Sequence, residues 1–123
     1  MQFNTLVRSE HLNHNGKLFG GYMLLWVDEY AYIAAITEYP GARFVTRAMD
    51  TVSFTQGVGL GAVLTFEVKP SKVGNTSVTY SVDVTATELP SGNQHKVFST
   101  CVTLCNTDEN GNKKELPSRA ASN

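Results

Sequence analysis

The chain has 123 residues, in which 10 Lys and Arg stand against 11 Asp and Glu for a net charge of −1. That length fits one domain around one hydrophobic core and leaves no room for two. The near-balance of charge leaves no electrostatic ground for general attraction to nucleic acid or to an anionic membrane surface.

Met1 to Arg8 lacks the basic start and following apolar run of a secretory signal, so none is expected. No apolar stretch reaches the roughly 18 residues of a membrane span. After the opening segment Phe3 to Ser9 comes a polar loop from Glu10 to Gly16, in which Asn15-Gly16 is a strong turn signal. Phe19-Gly20-Gly21 leads into Tyr22–Glu38, which is free of Gly and Pro and is closed by Tyr39-Pro40-Gly41. This predicts a helix of about 17 residues. Tyr22, Met23, Leu24, Leu25, Trp26, Val27 and the apolar residues from Tyr30 to Ile36 cover nearly every face of it. A helix apolar all round is a buried helix. Asp28 and Glu29 interrupt it near the middle.

The remainder reads as strands. Arg43 to Phe54 is rich in Val, Thr and Phe, and the glycines of Gly57 to Gly61 make a loop. Leu64, Phe66 and Val68 alternate with polar neighbours. Val78, Tyr80, Val82, Val84 and Ala86 do so more clearly, as a half-buried strand does. Leu89 to Asn93 turns the chain, and Phe98, Thr100, Val102 and Leu104 share one face of a last strand. One buried helix followed by strands on short turns predicts an α+β domain, an antiparallel sheet curled around a central helix, with a partner chain over the faces left open. The expected bounds are residues 1–116 for the domain and 117–123 for a flexible tail. Cys101 and Cys105 lie about 13 Å apart along one strand, too far for a disulfide and without a histidine cluster for a metal. They read as packing residues of a reduced, cytoplasmic protein.

Asp28 is the residue that needs a reason. A carboxylate in an apolar helix carries a desolvation cost unless it is paired, hydrogen-bonded or beside water. It reads either as a general base or nucleophile at an apolar cleft, or as a structural carboxylate bonded nearby. Gly20-Gly21 allows close approach to the backbone where the first helical N–H groups lack acceptors, which suits a developing oxyanion. Asp28 lies about 10 Å further along the helix axis. Both groups therefore reach one carbonyl only if the substrate spans the gap or a second chain supplies its own Asp28.

The run Asn13-His14-Asn15-Gly16-Lys17-Leu18-Phe19-Gly20-Gly21, with Asp28 seven positions later, resembles the signature of the acyl-CoA hydrolase branch of hotdog-fold thioesterases. The resemblance implies a hotdog fold, an acyl-CoA substrate and a homodimer with shared active sites, often assembled as a trimer of dimers. It also implies that Asp28 and Asn13 act from opposite subunits: Asp28 on water or on the thioester carbonyl, Asn13 orienting one of them, and the Gly21 N–H holding the oxyanion. Loop capping is the other reading of Asn13. A looser match, Lys72 to Ser77, implies that Gly74, Asn75, Thr76 and Ser77 contact coenzyme A; a plain hairpin turn is the alternative. Family members often carry Arg at the position of Asn75, so the charge for a nucleotide phosphate falls to Arg43, Arg47, Lys69 or Lys72.

No cofactor and no metal are expected. His11, His14 and His95 have no partner at useful spacing, and no Gly-x-Ser-x-Gly elbow supplies a serine nucleophile. A noncatalytic acyl-CoA-binding hotdog module is the competing reading, although such a module usually carries an output domain. A hotdog dehydratase would want a catalytic histidine at the helix.

Overall fold

A computed structural model describes residues 1–121. Its elements are β1 (Gln2–Leu6), a 3-10 turn at Ser9–His11, α1 (Gly20–Glu38), β2 (Phe44–Phe54), β3 (Val63–Val73), β4 (Ser77–Thr87) and β5 (Gln94–Asn106). The five strands form one antiparallel sheet in the order β1-β3-β4-β5-β2. This is the expected α+β arrangement of an antiparallel sheet around one long helix. β1, which the sequence marks only as an opening segment, pairs Phe3 with Phe66 along β3.

The period-two pattern of β3, β4 and β5 sets the core. Leu64, Phe66, Val68, Val78, Val82, Val84, Phe98, Val102 and Leu104 are buried on the concave face, each worth roughly 1.5–3 kcal/mol when removed from water. α1 lays Met23, Val27, Ala31, Ala34 and Ala35 on that face. Their spacing of three and four makes one stripe, and its three alanines let the helix axis come close to the sheet. The helix begins two residues before the predicted start, because Gly20 and Gly21 form its first turn behind Phe19.

The opposite side of α1 is open in the single chain: Leu25 is 54% exposed, and Tyr32 is exposed as well. β2 is an edge strand, hydrogen-bonded to β5 alone, and nearly all its residues from Val45 to Phe54 are exposed. Two irregularities break its pairing, one at Arg47 and one between Asp50 and Ser53, where Thr51 takes a φ of 61°. A β-branched residue is strained in that left-handed region.

Where a free tail is expected, the chain turns back on the body. Leu116 N–H donates to Asn75 O at 3.0 Å, Ala120 N–H to Glu38 O at 2.7 Å, and Arg119 pairs with Glu38 at 2.7 Å. Buried Asn106 anchors this turn: its Oδ1 accepts from Arg43 N–H and its Nδ2 donates to Glu115 O, both at 2.8 Å. Ser122 and Asn123 lie outside the described residues.

Candidate active site

The polar loop before α1 closes as a small hairpin, with Leu12 bridged to Leu18 and Asn13 N–H donating to Lys17 O at 2.7 Å. Gly16 sits at φ 74°, which the tight turn requires and a side chain would resist. Asn13 Oδ1 accepts from the N–H groups of Asn15 at 2.9 Å and Lys17 at 3.2 Å. Loop capping is thus real, and it also orients the side chain. With the oxygen held by two backbone donors, the amide presents its Nδ2 as a hydrogen-bond donor.

At the head of α1, Gly20 and Gly21 supply N–H groups with no acceptor inside the helix. Each glycine is faced by a ring. A Cβ on Gly20 would meet the Phe54 ring at 3.3 Å, and one on Gly21 would meet the Phe19 ring at 2.5 Å. Asn13, Gly20, Met23 and Phe54, with the segment Thr55–Val58 and Val97, line a cleft of about 430 Å³. The structure therefore brings Asn13 and the helix head together.

Asp28 stands elsewhere. It is half-buried on α1, and Thr46 of β2 donates its hydroxyl to Oδ1 at 2.5 Å. Among the described residues no cation pairs with it, and it is not part of the cleft wall. One chain holds the two parts of the predicted site apart, as the helix rise requires. Thr46 is the member of this group that sequence reasoning passes over, since a Thr in a Val- and Thr-rich strand looks like an ordinary β-former.

The segment Gly74–Ser77 is the β3–β4 hairpin turn, closed by Gly74 N–H to Ser77 O at 2.8 Å. Its Asn75 and Thr76 carbonyls accept from Leu116 and Asn106. On β5, Ser77 is opposite Cys105 and Phe54 is opposite Phe98. The turn and the cleft thus lie roughly 23 Å apart, at opposite ends of one chain's sheet. Arg43 and Lys72 are at the turn's end, and Arg47 and Lys69 are exposed on β2 and β3.

The family model of the thioesterase superfamily matches residues 15–91. The chain belongs to the thioesterase superfamily. Among solved structures, this superfamily member is similar to a hexameric hotdog-fold thioesterase of Campylobacter jejuni, with 32% identity, 93% of this chain and 87% of that one covered, and a TM-score of 0.83. The order of strands and the central helix are those of the hotdog fold. It is 28% identical to an uncharacterized acyl-CoA thioester hydrolase of Haemophilus influenzae, over 92% of this chain and 75% of that protein. It is 30% identical to acyl-coenzyme A thioesterase 11 of mouse over 85% of its own length, but spans only 17% of that larger protein.

The histidines of this thioesterase-superfamily chain have other surroundings. His11 Nδ1 accepts from Arg8 N–H at 2.9 Å, and its ring packs edge-on against Tyr22 and Trp26, each at 4.8 Å. His95 lies 4.0 Å from Glu88, and His14 is exposed. No described helix is long and apolar enough to cross a membrane. Both cysteines are free thiols.

Proposed function

We propose that this chain hydrolyses acyl-coenzyme A thioesters to the free acid and coenzyme A, with Asp28 of one subunit acting on a carbonyl held by the other. The observation that carries the reading is the division of the site. Asn13 and Gly20 at the head of α1 line one cleft, while Asp28, held by Thr46 and free of any described cation, stands about 10 Å along the same helix. A homodimer related across the open edge strand β2 supplies the missing half, and the hexameric Campylobacter relative is compatible with dimers assembled in threes.

Asp28 then has two routes. As a base it takes a proton from water while the oxygen adds to the carbonyl; collapse of the tetrahedral adduct breaks the C–S bond, and the departing sulfur takes that proton. As a nucleophile it adds to the carbonyl, the C–S bond breaks and coenzyme A leaves as the thiolate; water then cleaves the mixed anhydride to the free acid, regenerating Asp28 and releasing the proton that the thiolate takes. In both, the Gly21 N–H and Asn13 Nδ2 are donors for the charge that develops on the carbonyl oxygen. We assign Gly20 to close backbone approach, and Gly74, Asn75, Thr76 and Ser77 to contact with coenzyme A from a neighbouring subunit, and we place the reaction in the cytoplasm.

The test is thiol release from acyl-CoA by purified protein and by Asp28→Asn. The reading expects release by the wild type and loss of most of it in a folded Asp28→Asn. Binding of acyl-CoA without release by the wild type would instead support the noncatalytic module.

A further inference from the structure

The asparagine that ends β5 makes more hydrogen bonds than a strand end needs. Asn106 is 2% exposed, and all four of its polar atoms are bonded to other stretches of chain. Its N–H donates to Thr76 O at 2.8 Å, and its carbonyl accepts from Lys114 N–H at 3.0 Å. In the side chain, Oδ1 accepts from Arg43 N–H and Nδ2 donates to Glu115 O, both at 2.8 Å. An apolar side chain would fill this place without the desolvation cost of a buried amide. What the asparagine adds is a clamp, which holds the segment 114–116 beneath the β3–β4 turn. Leu116 then packs against the core and donates its N–H to Asn75 O at 3.0 Å.

That last bond sets the direction of one peptide group in the turn. A trans peptide is planar, with its C=O and N–H pointing opposite ways. Drawing the Asn75 carbonyl onto Leu116 therefore aims the Thr76 N–H away from the segment. Among the described residues Leu116 N–H is the one donor to that carbonyl, and neither the Asn75 nor the Thr76 N–H has an acceptor. We infer that the segment 114–116, clamped by Asn106, is a positioning support of the coenzyme A site. It acts through the turn: with the 75–76 peptide held, the Thr76 N–H stands ready as a donor to an oxygen of the bound coenzyme. The inference rests on the assignment of Gly74, Asn75, Thr76 and Ser77 to coenzyme A made above. Asn106 and the segment both lie outside residues 15–91 that the family model matches. The matched region thus contains the turn but not what holds it.

The experiment measures kcat and KM of wild type, Leu116→Pro, Leu116→Ala and Asn75→Asp on butyryl-CoA and on S-butyryl-N-acetylcysteamine, which lacks the nucleotide and most of the pantetheine arm. Leu116→Pro removes the N–H and keeps an apolar ring, whereas Leu116→Ala keeps the N–H and removes the packing. Leu116→Pro should raise KM for butyryl-CoA about fivefold, the scale of one neutral hydrogen bond. Its kcat, and both constants for the truncated thioester, should stay within about twofold of wild type, as should every constant of Leu116→Ala. An unchanged KM in Leu116→Pro, an equal loss on the two thioesters, or the same rise in Leu116→Ala would overturn the inference. Asn75→Asp sets a negative charge against the anionic nucleotide and tests the turn itself. A raised KM for butyryl-CoA in Asn75→Asp alone strikes the support and leaves the turn as a coenzyme A contact; no change in either variant strikes both. Should the wild type hydrolyse neither thioester, the thioesterase reading fails separately. In that case, or where Leu116→Pro does not fold, hydrogen exchange of the wild type decides: slower exchange of the Leu116 amide with coenzyme A added supports the inference, and equal exchange overturns it.

Discussion

The Thr46 hydroxyl donates to Asp28 Oδ1 at 2.5 Å, joining the edge strand β2 to the middle of α1. The bond fixes one carboxylate oxygen and, on the proposed reaction, leaves the other for chemistry. On that reading Thr46 is a positioning residue. Thr46→Val is expected to lower kcat by about one order of magnitude or more while the fold is kept, and Thr46→Ser to recover most of it. Recovery in Thr46→Ser, which restores the hydroxyl, separates this from general damage.

Asn13 tests the donor assignment through its own geometry. Its Oδ1 closes the loop by accepting from Asn15 and Lys17, and that task survives in Asn13→Asp, whereas the Nδ2 donor does not. Asn13→Asp is therefore expected to lose activity as fully as Asn13→Ala, about 100-fold, yet to match the wild type more closely in thermal stability. Full activity in Asn13→Asp would show that the loop, and not the amide donor, is what the residue provides.

Gly21 is covered by the Phe19 ring, which stands 2.5 Å from where a Cβ would be. Gly21→Ala must displace that ring from the helix head. Since Phe19 is exposed, the cost should fall on turnover more than on folding: kcat down about tenfold or more, with less than about 1 kcal/mol of stability lost. Gly21→Ala combined with Phe19→Ala should recover part of the rate if the displaced ring is what obstructs the N–H.

Tyr80 carries a pH dependence with a definite sign. Burial, then the hydrogen bond to Glu38, raises its phenol well above the usual tyrosine range. A group whose folded value is raised contributes fully below the unfolded value, near 10, and its contribution is lost as pH rises past it. The wild type should lose stability more steeply than Tyr80→Phe in denaturant titrations above about pH 10. At neutral pH Tyr80→Phe should cost about 1–2 kcal/mol, because Glu38 loses a donor. Parallel alkaline slopes for the two proteins would contradict the assignment.

Much of the fold is legible in the chain because its signals are local and periodic. The alternation from Val78 to Ala86 can only be a half-buried strand, and Tyr39-Pro40-Gly41 can only end a helix where it does. The loop from Asn13 to Gly21 is legible as a turn leading into a helix from Asn15-Gly16 and Gly20-Gly21, but its part in a site is legible only through the family resemblance. What stayed hidden depends on distant partners. β1 exists because β3 offers Phe66 to Phe3. The polar end of the chain is held because Asn106 and Glu38 wait for it on other elements. Thr46 gains meaning only from what faces it across the fold, a carboxylate eighteen residues back.

The distance along α1 between the glycines at its head and Asp28 has a last consequence. On the two-chain site proposed above, an isolated molecule owns both kinds of catalytic group and can use neither. Its rate then obeys mass action in the enzyme itself, with turnover per molecule falling as the stock is diluted toward the point where pairs separate. The abundance of the chain would then act as a control on thioester turnover without any effector.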